Sequence, residues 1–201
     1  MKRHTLPVLL AVAALLVTAG GWSAYHFLVP APEKVTMNST QAKSKAEHLL
    51  DDTLSAVQPK VTWQPDYAQA ILNYRGIDSD YDGTAQVLVT RDLFTSISTP
   101  KLTILVQAVA HRWKQRGYAV TVEHTSNGIP SAEADTPDGD HLSVDLVRAG
   151  AVSFGATVGT FKGPTDEADA EWVYGKPHQL KLDAQGKTIF PPLKDDPYWS
   201  H

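Results

Sequence analysis

The chain has 201 residues, of which 42% are apolar and 20% charged, with a net charge of -4 and no cysteine. That balance supports one globular core and excludes global disorder, and the mild negative charge provides no basic surface for nucleic acid. The absence of cysteine removes disulfides, thiolate metal sites, a cysteine nucleophile and the cysteine that a bacterial lipid anchor requires.

Lys2 and Arg3 are the only formal charges before Glu33. Between them, residues 6–27 are apolar enough and long enough to cross a hydrocarbon core, which takes about 20 helical residues. The charge asymmetry predicts a single-pass anchor with its N-terminus inside and the body outside, and Trp22 and Tyr25 suit the outer interface. The alternative is a cleaved signal peptide ending in Ala19-Gly20-Gly21, which would release a secreted protein. The chain therefore divides into a tip and anchor (1–29), a linker (30–39), an extracytoplasmic domain (40–162) and a Gly/Pro/Asp-rich extension (163–201).

A first soluble helix is predicted from Thr40 to Val57, with Ala42, Ala46, Leu49, Leu50, Thr53 and Leu54 in one stripe. Val61-Thr62-Trp63 reads as a short strand, and Gln64 to Asp82 as irregular chain. Gln86 to Thr90 reads as a buried strand. Ser98 or Thr99 then caps a helix with Pro100 in its first turn. Leu102, Leu105, Val106, Val109 and Trp113 form its buried face, and Gly117 stops it. Three strands follow (Tyr118 to His124, Ser131 to Thr136, His141 to Arg148), with Thr136-Pro137-Asp138-Gly139 as a tight turn between the last two. Ala151 to Val158 makes a fourth. This α-β-α-β-β-β-β order implies an α+β domain, two helices on a mainly antiparallel sheet. A crossover is expected through the second helix. Beyond Lys162 the expectation is tail, with one further strand near Gln179 to Leu182.

Several motifs suggest chemistry and fall short of it. Asp78-Ser79-Asp80-Tyr81-Asp82-Gly83 resembles the start of a calcium loop, but the twelfth position is Val89 rather than a carboxylate. Asp78, Asp80 and Asp82 remain weak calcium candidates. Gly186-Lys187-Thr188 lacks the earlier glycine of a phosphate loop, because Lys181 occupies that position. Ser153 is not in a nucleophile elbow, since Ala151 stands where glycine is required. His111, His124 and His141 lack the spacing of a helical metal pair, so a site would need them to converge in space. Asp135, Asp138, Asp140 and Asp145 share a hairpin with His141 and are its potential partners. Asp138 and Asp140 are expected only to shape the turn, with His141 exposed. Trp113 is expected in the core, whereas Trp172 and Trp199 in the tail are potential exposed contacts. Asn38-Ser39-Thr40 matches a glycosylation acceptor.

Ala110-His111-Arg112-Trp113-Lys114-Gln115-Arg116-Gly117-Tyr118, the Thr136–Gly139 turn, and Ala46 to Thr53 ahead of Trp63 together resemble a group of uncharacterised secreted or lipid-anchored proteins of high-GC Gram-positive bacteria. The resemblance spans roughly residues 42–161 and rests on structural motifs, a helix end and a turn. It implies an exported location and this fold, and carries no activity. The chain departs from that group in lacking its anchoring cysteine, and the membrane helix stands in for the lipid. The resulting expectation is a membrane-tethered accessory or interaction domain of the cell envelope, without cofactor and with an envelope protein as its partner. A hydrolase using Asp and His residues and a small-ligand carrier are the competing classes.

Overall fold

The computed structural model describes residues 34–35, 37–64, 66–75, 80–126, 128–165, 174, 185 and 191–201. The predicted anchor (6–27), Asp78, Trp172, the Gln179–Leu182 strand and Gly186-Lys187-Thr188 lie outside them.

Asn38 starts the first helix, α1 (Ser39–Ser55), through a capping box: its side chain accepts from the Gln41 N–H while the Gln41 side chain accepts from its own N–H. These reciprocal bonds satisfy two donors that a helix start leaves unpaired. Ala42, Ala46, Leu50 and Leu54 then fall on one buried face. The second helix, α2 (Thr99–Gln115), buries Leu102, Leu105, Val106, Val109 and Trp113 as the spacing predicts. Ser98 occupies its N-cap, but the hydroxyl makes no capping bond. Gly117 follows the helix at φ +79°, a conformation that costs glycine nothing.

Six strands complete the domain: β1 (Tyr67–Arg75), β2 (Asp80–Asp92), β3 (Ala119–His124), β4 (Pro130–Asp135), β5 (His141–Arg148) and β6 (Ala151–Lys162). They form one sheet in the order β1-β2-β6-β5-β4-β3, and every neighbouring pair is antiparallel. The fold is α+β, with the order α-β-β-α-β-β-β-β among the described residues. β2 and β3 run in the same direction, four antiparallel steps apart, so the connection through α2 joins strands that do not touch.

β1 corrects the expectation that Gln64 to Asp82 is irregular. Its run Tyr67-Ala68-Gln69-Ala70-Ile71-Leu72 has no alternation because, at the sheet edge, neither face is fully buried. Conversely, Val61 to Trp63 is not a strand; Trp63 makes a single bridge to Leu93. β6 runs on to Lys162, past the predicted end at Val158.

Alternation sets the two faces of the sheet. Val87 and Val89, Phe154, Ala156 and Val158, Leu142 and Val144, and Ala132 and Ala134 all point to the helix layer and are buried. Their neighbours Leu88, Thr157, Ser143 and Gly155 occupy the opposite face and are half-buried. α1 lies over β2 and β6, and α2 over β3 and β4.

Residues 191–201 are not a free tail. Lys194 bridges Thr95 in parallel, Ser96 N–H donates to the Lys194 carbonyl at 2.9 Å, and Ser98 N–H donates to the Trp199 carbonyl at 2.8 Å. Trp199 is 1% exposed, and its indole N–H donates to the Pro59 carbonyl at 2.8 Å. The expectation of an exposed Trp199 is therefore corrected: its partners come from segments about 100 and 140 residues earlier, beyond the reach of local periodicity.

Candidate functional site

The tight turn after β4 brings charge to one end of the sheet. Asp140 closes that turn. Its backbone N–H donates to Thr136 Oγ1 (3.0 Å), and the Thr136 hydroxyl donates to Asp140 Oδ2 (3.2 Å). These bonds fold the Asp140 side chain inward, where it is only 2% exposed. A carboxylate that buried needs a cation and donors. Lys45 of α1 supplies the cation, its Nζ 2.7 Å from Asp140 Oδ2 and 3.0 Å from Asp138 Oδ2. Gly159 N–H of β6 donates to Asp140 Oδ1 at 3.3 Å.

Burial alone would lower the Lys45 pKa, but its bonds and attraction to Asp140 and Asp138 outweigh that and raise it. Lys45 is thus held as an ammonium ion and is unsuited to act as a neutral amine nucleophile. The expectation that Asp138 and Asp140 merely shape the turn is corrected for both, since they also anchor α1 to the β4–β5 turn.

A cleft of about 450 Å³ opens beside this cluster, lined among others by Met37, Lys45, Asp138, His141 and Thr157. His141 Nδ1 lies 2.9 Å from Asp135 Oδ1, its cross-strand partner on β4, and Thr157 is its partner on β6. The imidazole is 43% exposed and the Asp135 side chain 68%, so His141 is half-exposed rather than fully so. The pair has acid–base geometry, with Asp135 fixing the ring through Nδ1.

The other histidines lie elsewhere. His111 is on the exposed side of α2, against Gln115, and His124 ends β3 at the opposite end from the row that holds His141. Asp145 faces Ser153 of β6, two residues along β5 from Ser143. Among the described residues no three His, Asp or Glu side chains are grouped to hold a metal ion. Asp82 has turned inward, with Oδ1 accepting from the N–H and the hydroxyl of Thr84 (2.8 and 2.6 Å), and Asp80 pairs across the hairpin with Arg75. Ser153 is a strand residue opposite Asp92. Asn38 uses its side-chain oxygen in the helix cap.

Two ionic clusters on the helix side escaped sequence reasoning. Arg91, buried at the end of β2, is clamped by both oxygens of Asp66 (2.7 and 2.5 Å) and by Asp51 of α1 (2.7 Å), with the Trp63 ring over its guanidinium. Asp52 of α1 receives both Arg112 of α2 and Arg116, the C-cap residue that follows it. Hydrogen bonding from Arg116, aided by Arg112, holds the Asp52 carboxyl down at about 2 against the opposing effect of burial. Next to it, the Trp113 indole N–H donates to Thr53 Oγ1 at 2.8 Å. Both clusters join helices to each other or to the sheet, and every charged group in them has a partner of opposite sign, two carboxylates on Arg91 and two guanidiniums on Asp52. An Asp-Asp or Arg-x-x-x-Arg spacing on a helix is the only local trace of them.

No protein-family model, curated protein or solved structure matches this chain.

Proposed function

We propose that this chain is a membrane-tethered binding domain, anchored by residues 6–27, displayed outside the cytoplasmic membrane, and acting on an envelope protein through the cleft at the Lys45–Asp140 end. The observation that carries this reading is the state of the charged groups there. Lys45, Asp138 and Asp140 are committed to one another, which suits a surface that recognises by shape and fixed charge. The tether supports the same surface. Met37 lines the cleft, and only nine residues separate it from Phe27. Nine extended residues reach at most about 32 Å, so under this reading the cleft stays close to the membrane. Among the described residues no helix is long and apolar enough to cross a membrane, so the anchor rests on the N-terminal sequence.

The test is a photo-crosslinking amino acid at position 138 of the full chain in its native cells, with external protease reporting sidedness. A discrete crosslinked envelope protein and a protease-sensitive body are expected. A body protected from external protease, or crosslinks no different from those at the distant exposed Ile104, would refute the reading.

A second reading, an extracytoplasmic hydrolase, is favoured by the His141–Asp135 pair on the cleft, which Thr157, the cross-strand partner of His141, also lines. It predicts turnover that His141→Ala abolishes while the melting curve stays unchanged.

A further inference from the structure

On the binding reading above, we infer that the cleft at the Lys45–Asp140 end receives the cationic end of a lysine or arginine side chain of the partner. The backbone donors around the cleft are already bonded. Gly139 N–H donates to the Thr136 carbonyl at 2.9 Å, Asp140 N–H to Thr136 Oγ1 at 3.0 Å, and Gly159 N–H to Asp140 Oδ1 at 3.3 Å. A backbone cradle for an anion needs successive N–H groups free to converge on it, and here they bond within the turn instead. Lys45 is no substitute. Its ammonium lies 2.7 Å from Asp140 and 3.0 Å from Asp138, so an approaching anion meets two carboxylates with that one cation.

Acceptors are what the cleft has left. Asp138 takes Lys45 through Oδ2, and among the described residues its Oδ1 accepts no hydrogen bond. His141 holds Asp135 Oδ1 through Nδ1, so Nδ1 is the donor of the neutral ring and Nε2 a free acceptor. Thr157 lines the same cleft with a hydroxyl that can also accept. An ammonium or guanidinium carries donors only, and its bonds to a carboxylate are of the strong, charge-assisted kind. It also supplies the missing charge, since Lys45 is one cation against Asp138 and Asp140 in the lining. The surroundings favour a cation borne on a protein surface over a small free one. Residues 131–147, nearly the whole β4–β5 hairpin, hold five carboxylates and no lysine or arginine. Two of these, Glu133 and Asp145, are exposed on the sheet face that His141 shares, away from the helices. A basic patch around the inserted side chain is complementary to that face, which steers encounter and makes it sensitive to salt.

The test uses the purified full chain in mild detergent, with the Gly139 and Gly159 amides followed by NMR. N-acetylarginine amide is expected to shift both amides saturably, and more weakly as salt is raised. N-acetylnorleucine amide and N-acetylglutamate amide are expected to leave them in place. Asp138→Asn should weaken the arginine probe at least about tenfold, the loss of one charged hydrogen bond. Asp138→Glu, which keeps the charge, should retain the probe, and Asp195→Asn, exposed on the docked C-terminal segment, should leave its affinity unchanged. No shift with the arginine probe, equal shifts with the glutamate probe, an affinity indifferent to Asp138→Asn, or saturation by calcium chloride but not by arginine would each overturn the inference. The photo-crosslink at position 138 tests the binding reading separately. A protein captured there through a segment without lysine or arginine would overturn this inference and leave that reading standing.

Discussion

Among the described residues two tryptophans are fully buried, and they are brought inside by different means. Trp113 is 0% exposed and sits in α2, where the apolar stripe of its own helix points it at the sheet. Trp199 is 1% exposed and sits in a segment with no stripe, next to Asp195, Asp196, Pro197 and Tyr198. Each indole N–H has one acceptor at 2.8 Å, Thr53 Oγ1 for the first and the Pro59 carbonyl for the second. The two sites are alike in what they need, an apolar socket and one acceptor. They differ in who supplies it. Trp113 is held by a helix that already has its own hydrogen bonds, whereas residues 191–201 are fixed to the domain by bonds to Phe94, Ser96, Ser98, Pro59 and Arg148.

That difference can be broken most forcefully at the indoles themselves. Trp113→Ala is expected to cost about 3–5 kcal/mol in denaturant unfolding, the range for large aromatic truncations in cores. Lys114→Ala, one residue along and exposed, should change stability by less than about 0.5 kcal/mol. Trp199→Ala should fall near the low end of the same range, about 3 kcal/mol, because its segment can detach before the sheet unfolds. Limited proteolysis should then cut within residues 191–201 of Trp199→Ala and leave the same segment of Trp113→Ala protected in folded molecules. Equal protection in both variants would mean that the segment does not depend on its tryptophan.

The same contrast explains what was legible in the sequence. The sequence places α2 and the strands from β3 to β5 within a residue or two of their observed bounds, since periodicity, Pro100, Gly117 and the Thr136–Gly139 turn are all local signals. His141 to Arg148 matches β5 at both ends. β1 has no such signal, because an edge strand half-covered on both faces has no reason to alternate. Of the candidate site, the hairpin sequence itself makes Asp135, Asp138 and Asp140 neighbours of His141, and the His141–Asp135 pair follows from hairpin register. Lys45 has no such local signal, because the contact that makes Asp140 a buried ion crosses 95 positions of sequence and is set by how α1 lies on β6. Register and turn chemistry propagate a few residues; the docking of one layer on another does not leave a local trace.

A gentler way to sharpen the comparison uses two glycines with nearly the same backbone. Gly117 (φ +79°) follows α2 and has open space where a Cβ would go; Gly150 (φ +74°) lies in the β5–β6 turn, where a Cβ would stand 2.8 Å from Ser96 Oγ and 3.4 Å from Leu193 Cδ1. Gly117→Ala should cost about 1–2 kcal/mol, the left-handed conformation alone. Gly150→Ala should cost more, up to about 3 kcal/mol, and should loosen residues 191–201 through Leu193 and Ser96. Matching melting shifts for the two would show that the segment yields to the intruding methyl, so that the docking there is soft.

The smallest expected effect separates the two tryptophan sites by pH. Asp52 lies beside Thr53, so its ion pairs with Arg112 and Arg116 border the Trp113 socket, while the Trp199 socket is built on a backbone carbonyl that does not titrate. The Asp52 carboxyl is held at about 2 against an ordinary 3.8, chiefly by its hydrogen bond from Arg116. A depressed carboxylate contributes stability that is fully present above about 4 and is lost as pH falls through about 2. Arg116 is 47% exposed, so solvent screening keeps this contribution below either pair of substitutions above. Hydrogen exchange of the two indole N–H groups, followed from pH 5 to pH 2, reads the two sites in one molecule. The Trp113 signal should lose protection relative to that of Trp199 as the acid end is approached. Asp52→Asn should already show the reduced Trp113 protection at pH 5 and a flatter response below it. If both indoles lose protection together in wild type and in Asp52→Asn, the Asp52 cluster adds nothing local to the helix seam, and acid acts on the domain as a whole.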